Sequence, residues 1–142
     1  MVLNNLKLFK LLTLLFCISC LWGLSAPFIG YSILDLESIK YILKWDTFGA
    51  LFVPNVLLLY LKELLYFAGG VLVFFTMNIG RLILILMVGV ELLLSLLMGI
   101  SVSPSIDLFV GSINGLLLGG ILSLSYCSEL KIHFKGQGAR VI

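Results

Sequence analysis

The sequence predicts an all-α, polytopic membrane protein. We expect one membrane domain over residues 1–142, a compact four-transmembrane-helix bundle with a short interfacial helix between helices 1 and 2. Composition is the first reason, because 61% of the 142 residues are hydrophobic, 11% are charged and the mean hydropathy is +1.22. Soluble domains carry roughly a quarter charged residues. The second reason is that the apolar residues form four runs of about 20 residues, the length that a helix needs to cross a bilayer.

Helix 1 is predicted over about 11–30. Lys7 and Lys10 precede the apolar run, as in a secretory signal, but residues 23–26 make a poor cleavage site and the run continues past them. We therefore expect a retained transmembrane helix rather than a cleaved signal.

Residues 31–46 are too polar to span a bilayer. Their apolar side chains recur at helical spacing against charged ones, which predicts an amphipathic helix lying along the membrane interface. An ordinary structured loop is the alternative. The apolar positions are Leu36, Ile39, Ile42 and Leu43, and the charged positions are Glu37, Lys40 and Lys44.

Three further helices are predicted over about 54–77, 82–102 and 108–126, followed by a cytoplasmic tail over 127–142. Each of the three is close to the length of a bilayer crossing. The stretch Asn78–Arg81 is expected to form the tight turn between helices 2 and 3.

The basic residues predict the orientation, because cytoplasmic segments carry an excess of Lys and Arg. With four crossings, Lys40 and Lys44 of the loop segment lie on one side, while the other side carries Lys7, Lys10, Arg81, Lys131, Lys135 and Arg140. Both termini are therefore expected in the cytoplasm of a multi-pass plasma membrane protein. The small size of the chain favours a bacterial inner membrane.

Small residues recur at a spacing of four on helix 4, at Gly111, Gly115, Gly119 and Ser123. Apolar side chains gain little from one another in lipid, so helices associate there through close packing and hydrogen bonds. This glycine-zipper pattern predicts a tight helix contact. It is either an internal seam of the bundle or a seam with a second copy or another membrane protein. For an internal seam, the other side would be formed on helix 3 by Gly89, Ser95 and Gly99.

Glu91 lies about ten residues from the cytoplasmic end of helix 3, which places it near mid-bilayer. A charge there is costly, so we expect this side chain to be buried, with a partner or a proton. Antiparallel counting puts Asn114 of helix 4 at nearly the same depth, with Trp22 of helix 1 as a second donor. The sequence thus predicts a buried polar group of these three residues, with a Glu91–Asn114 hydrogen bond.

Lys62 and Glu63 form a polar pair on the outer face, about two turns inside helix 2. The lysine side chain is expected to snorkel outward to water, whereas Glu63 points elsewhere around the helix. Projection of the helix beyond the lipid is one explanation for the pair. A polar binding vestibule is the other.

The chain shows no pattern of catalytic or cofactor-binding residues. We recognise no nucleophile–base pair, phosphate loop or metal cluster, and we predict a non-enzymatic protein without a metal or cofactor. Cys17 and Cys20 share a C-x-x-C spacing inside helix 1, which favours packing residues over a redox pair. The net charge of +2 is too small to indicate nucleic acid as a partner.

Four short helices with one buried glutamate resemble the small multidrug-resistance transporters in architecture. The resemblance ends there, because the glutamate of those transporters lies in the first helix, whereas Glu91 is on helix 3. No residue is carried over.

Two functions from different classes are consistent with these observations. The first is a small integral membrane protein that associates through its helices with another membrane protein or with itself, of an accessory, assembly or toxin-immunity type. The alternative is a subunit of a proton- or cation-coupled transporter or channel that uses Glu91. A pore would need more polar lining than the sequence offers, which favours the first function.

Overall fold

The computed structural model describes residues 2–46, 49–53, 55–98, 105–127, 130 and 134, and within this part of the chain it contains helices and no strands. Four helices are long and apolar enough to cross a membrane, which confirms the all-α class and the four long apolar helices. The helices in chain order are α1 (Val2–Ile33), α2 (Leu36–Trp45), α3 (Val56–Phe74), α4 (Asn78–Leu97) and α5 (Ser105–Cys127). The four long ones, α1, α3, α4 and α5, correspond to predicted helices 1 to 4.

Helix α1 is the central helix, because it packs against both α3 and α5. Its buried side chains recur at intervals of four and three residues, at Phe9, Thr13, Phe16 and Cys20. Such a narrow stripe is typical of helix–helix contact. The core is completed around it by Tyr66 and Val73 of α3, Leu84 and Met87 of α4, and Leu118 and Ile121 of α5.

The turn between α3 and α4 is Phe75–Met77, so the predicted turn at Asn78–Arg81 is wrong. Thr76 adopts a left-handed φ of 57°. Its amide donates to the carbonyl of Val73, and the Met77 amide donates to that of Leu72. This is the Schellman motif that ends many helices, with a threonine where glycine is usual.

The bundle has two distinct ends. We call the end with the Phe75–Met77 turn the turn end and the opposite one the loop end. At the loop end, the amides of Leu51 and Phe52 both donate to the carbonyl of Leu97, at 2.8 and 3.1 Å. This pairing satisfies a carbonyl that the last turn of α4 leaves without an intrahelical donor. Since α1 and α4 both run from the turn end to the loop end, the α2 segment follows the loop end of α1.

Helix α4 packs on α3, and α5 packs on α1, but α4 and α5 hardly touch each other. The four long helices are therefore arranged as a bundle that is open on one side. A helix forms over Leu36–Trp45, within the segment where a loop was the alternative, with Ile42 buried and Tyr41 exposed.

Two described residues lie beyond α5 in the sequence and belong to the core. Leu130 and Phe134 are both fully buried at the turn end. Lys131, Lys135 and Arg140, which contribute to the predicted orientation, lie outside the described residues.

Candidate functional site

A charged cluster joins α3 to α4. Its residues are Lys62, Glu63 and Tyr66 of α3 and Glu91 of α4. The Lys62 Nζ lies 3.2 Å from the Oε1 of Glu63 and 3.2 Å from the Oε1 of Glu91. The Tyr66 hydroxyl donates to the Oε2 of Glu91 at 2.6 Å. Both carboxylate oxygens of Glu91 therefore have a partner on the neighbouring helix.

This pairing corrects the interpretation of Lys62. Snorkelling is wrong, because the ammonium group binds two carboxylates and the side chain is only 21% exposed. Nor do Lys62 and Glu63 point apart, because the same ion pair joins them. A charge-assisted hydrogen bond is stronger than a neutral one, and it gains further where water is scarce. The cluster therefore lowers the cost of three charges among apolar helices.

The carboxylate of Glu63 packs against α1 at Gly23, a residue without a side chain. A Cβ added at Gly23 would lie 2.8 Å from the Oε2 of Glu63. A side chain at this position would therefore require the flexible end of Glu63 to shift, whereas glycine lets the carboxylate pack against α1. Close helix approach of this kind is a common use of glycine in lipid.

Glu91 differs from its predicted position in two respects. Its side chain is 51% exposed rather than buried. At about 1.5 Å per residue it lies about 20 Å from Asn78 but only about 9 Å from Leu97, so it belongs to the loop-end half of α4. The predicted depth was too great because α4 begins four residues earlier and ends five residues earlier than predicted.

The predicted Glu91–Asn114 hydrogen bond is wrong. Asn114 instead accepts from the Ser19 hydroxyl at 2.8 Å, which joins α5 to α1. The two predicted partners are on helices that hardly touch, so their side chains bind elsewhere.

Trp22 does not act as a second donor to Glu91. Its Nε1 is buried and has no hydrogen-bond partner among the described residues. No hydrogen bond therefore joins any two members of the predicted polar group among the described residues.

The glycine face of α5, formed by Gly111, Gly115, Gly119 and Ser123, is exposed along its whole length. A Cβ added at any of the three glycines would meet no heavy atom of the described residues within 4 Å. The same holds for Gly89 of α4. The internal-seam interpretation is therefore wrong for this face.

Other glycines do the internal packing. A Cβ at Gly70 would lie 2.9 Å from the Cys17 Sγ, and one at Gly80 would lie 2.7 Å from the backbone nitrogen of Val73. These positions hold α3 against α1 and α4 against α3. The contrast separates glycines that the fold itself requires from those on α5 that it leaves open.

Sequence reasoning missed Tyr66 and Arg81. Tyr66 is an aromatic residue in an apolar run, and its role shows only when Glu91 is known to lie beside it. Arg81 was counted only as a basic residue that indicates topology, whereas it is buried, with 8% exposure.

The described residues contain no group of three or more His, Cys, Asp or Glu side chains placed to hold a metal ion. Cys17, Cys20 and Cys127 are free thiols. Comparison of the chain with known protein families, with curated proteins and with solved structures gives no match.

Proposed function

We propose that this chain is a small, non-enzymatic integral membrane protein that acts by helix–helix association, with the glycine face of α5 as its docking surface. The observation that carries this proposal is the open space at Gly111, Gly115 and Gly119, beside the tight contacts of the internal glycines. A helix that gives up side chains along one face, where no described residue of its own chain packs, is suited to contact with a helix from another chain.

The position of α5 supports the same proposal. Within the described chain it packs mainly on α1 and leaves the rest of its surface accessible. The partner is a membrane helix, of another membrane protein or of a second copy. The proposal includes a bacterial inner membrane, with the turn end and both termini in the cytoplasm and α2 at the opposite interface.

Transport through Glu91 is the competing proposal. A carboxylate that handles a cation must exchange partners during each cycle. Here Lys62 already supplies the compensating charge and Tyr66 the second hydrogen bond. This arrangement supports a structural role of Glu91 in joining α3 to α4, so we retain association as the proposed function.

The test compares Gly115→Leu with Gly89→Leu, a matched change at another open glycine outside the glycine face. Each tagged variant is extracted from native membranes in mild detergent, and its associated chains are identified by mass spectrometry and by molar mass in solution. We expect a stoichiometric partner, or a second copy, with the wild type and Gly89→Leu, and its loss in Gly115→Leu.

Thermal unfolding of the detergent-solubilised variants is the control. Neither change should destabilise the isolated chain, because a Cβ added at either glycine meets no heavy atom of the described residues within 4 Å. A wild-type protein that is monomeric and without a partner, or a Gly115→Leu variant that keeps its partner, contradicts the proposal.

A further inference from the structure

The glycine face of α5 lies on the side of that helix that faces α4. At the turn end, where the two helices meet, the Arg81 Nη1 donates to the Ser125 carbonyl at 2.8 Å, and the guanidinium carbon lies 4.4 Å from the centroid of the Tyr126 ring. In the sequence, Gly119 and Gly115 precede Tyr126 by about two and about three helical turns. These glycines therefore share with Tyr126 the face of α5 that is directed toward α4.

Glu91 and Gly115 lie at the same level of the bundle. The two helices are antiparallel, and the same number of residues along each helix, counted from the contact of Arg81 with Ser125, leads to Glu91 on α4 and to Gly115 on α5. At this level the helices have diverged, because α4 and α5 hardly touch and a Cβ added at Gly115 would meet no heavy atom of the described residues within 4 Å. We call the space between Glu91 and Gly115 the cleft.

The charged cluster borders the cleft. The ring of Tyr66, which is 3% exposed, packs edge-to-face on Phe16 of α1, and its hydroxyl donates to Glu91. The carboxylate of Glu91 is therefore directed toward the interior of the bundle, and yet the side chain is 51% exposed. The cleft explains this exposure, because α5 leaves this part of α4 uncovered within the described chain.

The cluster lacks one positive charge. Among its described residues Lys62 is the one cation, and its Nζ is shared between Glu63 and Glu91 at 3.2 Å from each. Charged groups within membrane proteins pair with one another, because an unpaired charge is costly among apolar groups. A carboxylate has about four lone-pair positions, so Glu91 can accept a further donor besides Lys62 and Tyr66. A cationic donor would balance the cluster.

A second copy of the chain is poorly suited to supply that cation. In the loop-end half of the long helices, Lys62 is the only basic residue that the structure describes. A copy in the same orientation would bring only another Lys62, which already binds two carboxylates of its own chain. The complementary partner is thus a different membrane protein with a lysine or arginine at the depth of Glu91.

We propose that the cleft receives a transmembrane helix of another protein that carries one lysine or arginine. Glu91 binds the cationic group of that residue, and the glycine face packs against the helix backbone, which small residues at a spacing of four allow to come close. The inference rests on the proposed function, because it assumes docking at the glycine face, and it adds the chemistry of the partner. The ion pair then determines which helix is accepted.

The experiment measures energy transfer, in phosphatidylcholine vesicles, between the purified chain and synthetic transmembrane helices. The parent chain carries a donor fluorophore on the exposed Cys127, with Cys17 and Cys20 replaced by alanine. The lysine probe is an apolar helix with one lysine about 9 Å inside one end, which is the depth of Glu91, and with an acceptor at the opposite end. The methionine probe differs only at that residue.

We expect the lysine probe to associate with the parent chain at least about tenfold more tightly than the methionine probe. Glu91→Gln should abolish most of this preference, whereas Glu37→Gln, the same change at an exposed position of α2, should keep it. Gly115→Leu should weaken the binding of both probes. Gly89→Leu should weaken neither, because Gly89 is an open glycine two residues from Glu91 and therefore on the other side of α4.

The outcomes separate this inference from the proposed function. Equal binding of the two probes to the parent, weakened by Gly115→Leu, would support docking at the glycine face and overturn the basic partner. Absence of binding by either probe would contradict both proposals. A lysine preference that survives Glu91→Gln overturns the inference, as does stronger transfer between donor- and acceptor-labelled copies of the chain than with the lysine probe. The comparison of the two probes on the parent does not depend on the folding of any variant.

Discussion

Lys62 compensates the charges of Glu63 and Glu91, and this lowers the cost of placing three charges among apolar side chains. It binds carboxylates on its own helix and on the next, so its removal leaves two acids without a counter-charge. From the sequence, the need of Glu91 for a partner could be predicted from the cost of a charge in lipid. The identity of the partner could not be predicted, because it depends on the rotation of each helix about its axis and on its depth relative to the next helix.

A double-mutant cycle tests this pairing. Lys62→Met and Glu91→Gln should each lower the free energy of unfolding. The double variant should lose less than the sum, with a coupling on the order of 1–2 kcal/mol, because the second change removes a charge that the first left unpaired. The measurement is denaturant unfolding of the purified protein in mixed micelles. Lys40→Met, at an exposed lysine of α2, is the control and should not couple with Glu91→Gln. Strictly additive losses would show that the Lys62–Glu91 contact contributes nothing.

At the scale of the helix, the position of one turn decides which residues meet. With the turn at Phe75–Met77, antiparallel counting from Phe74 and Asn78 brings Lys62 level with Val90, one residue from Glu91. A turn over Asn78–Arg81 would instead bring Ala68 level with Glu91. The three-residue difference explains why the four helices could be predicted and the charged cluster could not.

Gly80 is the reason why the turn was predicted at Asn78–Arg81. Glycine indicates a turn, because it tolerates left-handed backbone angles. Here Thr76 adopts the left-handed conformation, and Gly80 lies on α4 where the backbone of α3 approaches it most closely. The same residue type serves both needs, so composition alone cannot distinguish a turn from a close helix contact.

Two glycines of the same helix test this assignment. Gly80→Ala should destabilise the protein by about 1–3 kcal/mol, because the new methyl group meets backbone that cannot move independently. Gly89→Ala should be neutral or should stabilise by at most about 1 kcal/mol, because alanine favours helix and the site is open. Equal effects of the two changes on the free energy of unfolding would contradict the distinction between packed and open glycines.

At the scale of the whole molecule, the fold joins what the sequence separates. Phe9 near the start of the chain, Asn78 at the turn and Phe134 after the last long helix all meet at the turn end. The four long helices could be predicted from hydropathy and length, because both quantities are properties of a single segment. The arrangement in which α1 is central and α4 and α5 diverge depends on side-chain fit between segments, which no single segment encodes.

The last prediction concerns the membrane layout. It is tested by the side of the membrane on which each of two cysteines of one protein lies. Cys127 is exposed at the turn end of α5, and Glu37→Cys places a thiol at an exposed position of α2, which follows the loop end of α1. Cys17 and Cys20 are replaced by alanine. In the proposed four-crossing layout, the three helices α3, α4 and α5 separate position 37 from Cys127. The Lys and Arg residues that the sequence assigns to the side of both termini predict that Cys127 faces the cytoplasm. A membrane-impermeant maleimide applied to intact spheroplasts should therefore label the thiol at position 37 and should reach Cys127 only after permeabilisation. Labelling of both thiols in intact spheroplasts, or of neither until permeabilisation, would mean that α2 and the turn end share a compartment, and the four-crossing layout would then be wrong.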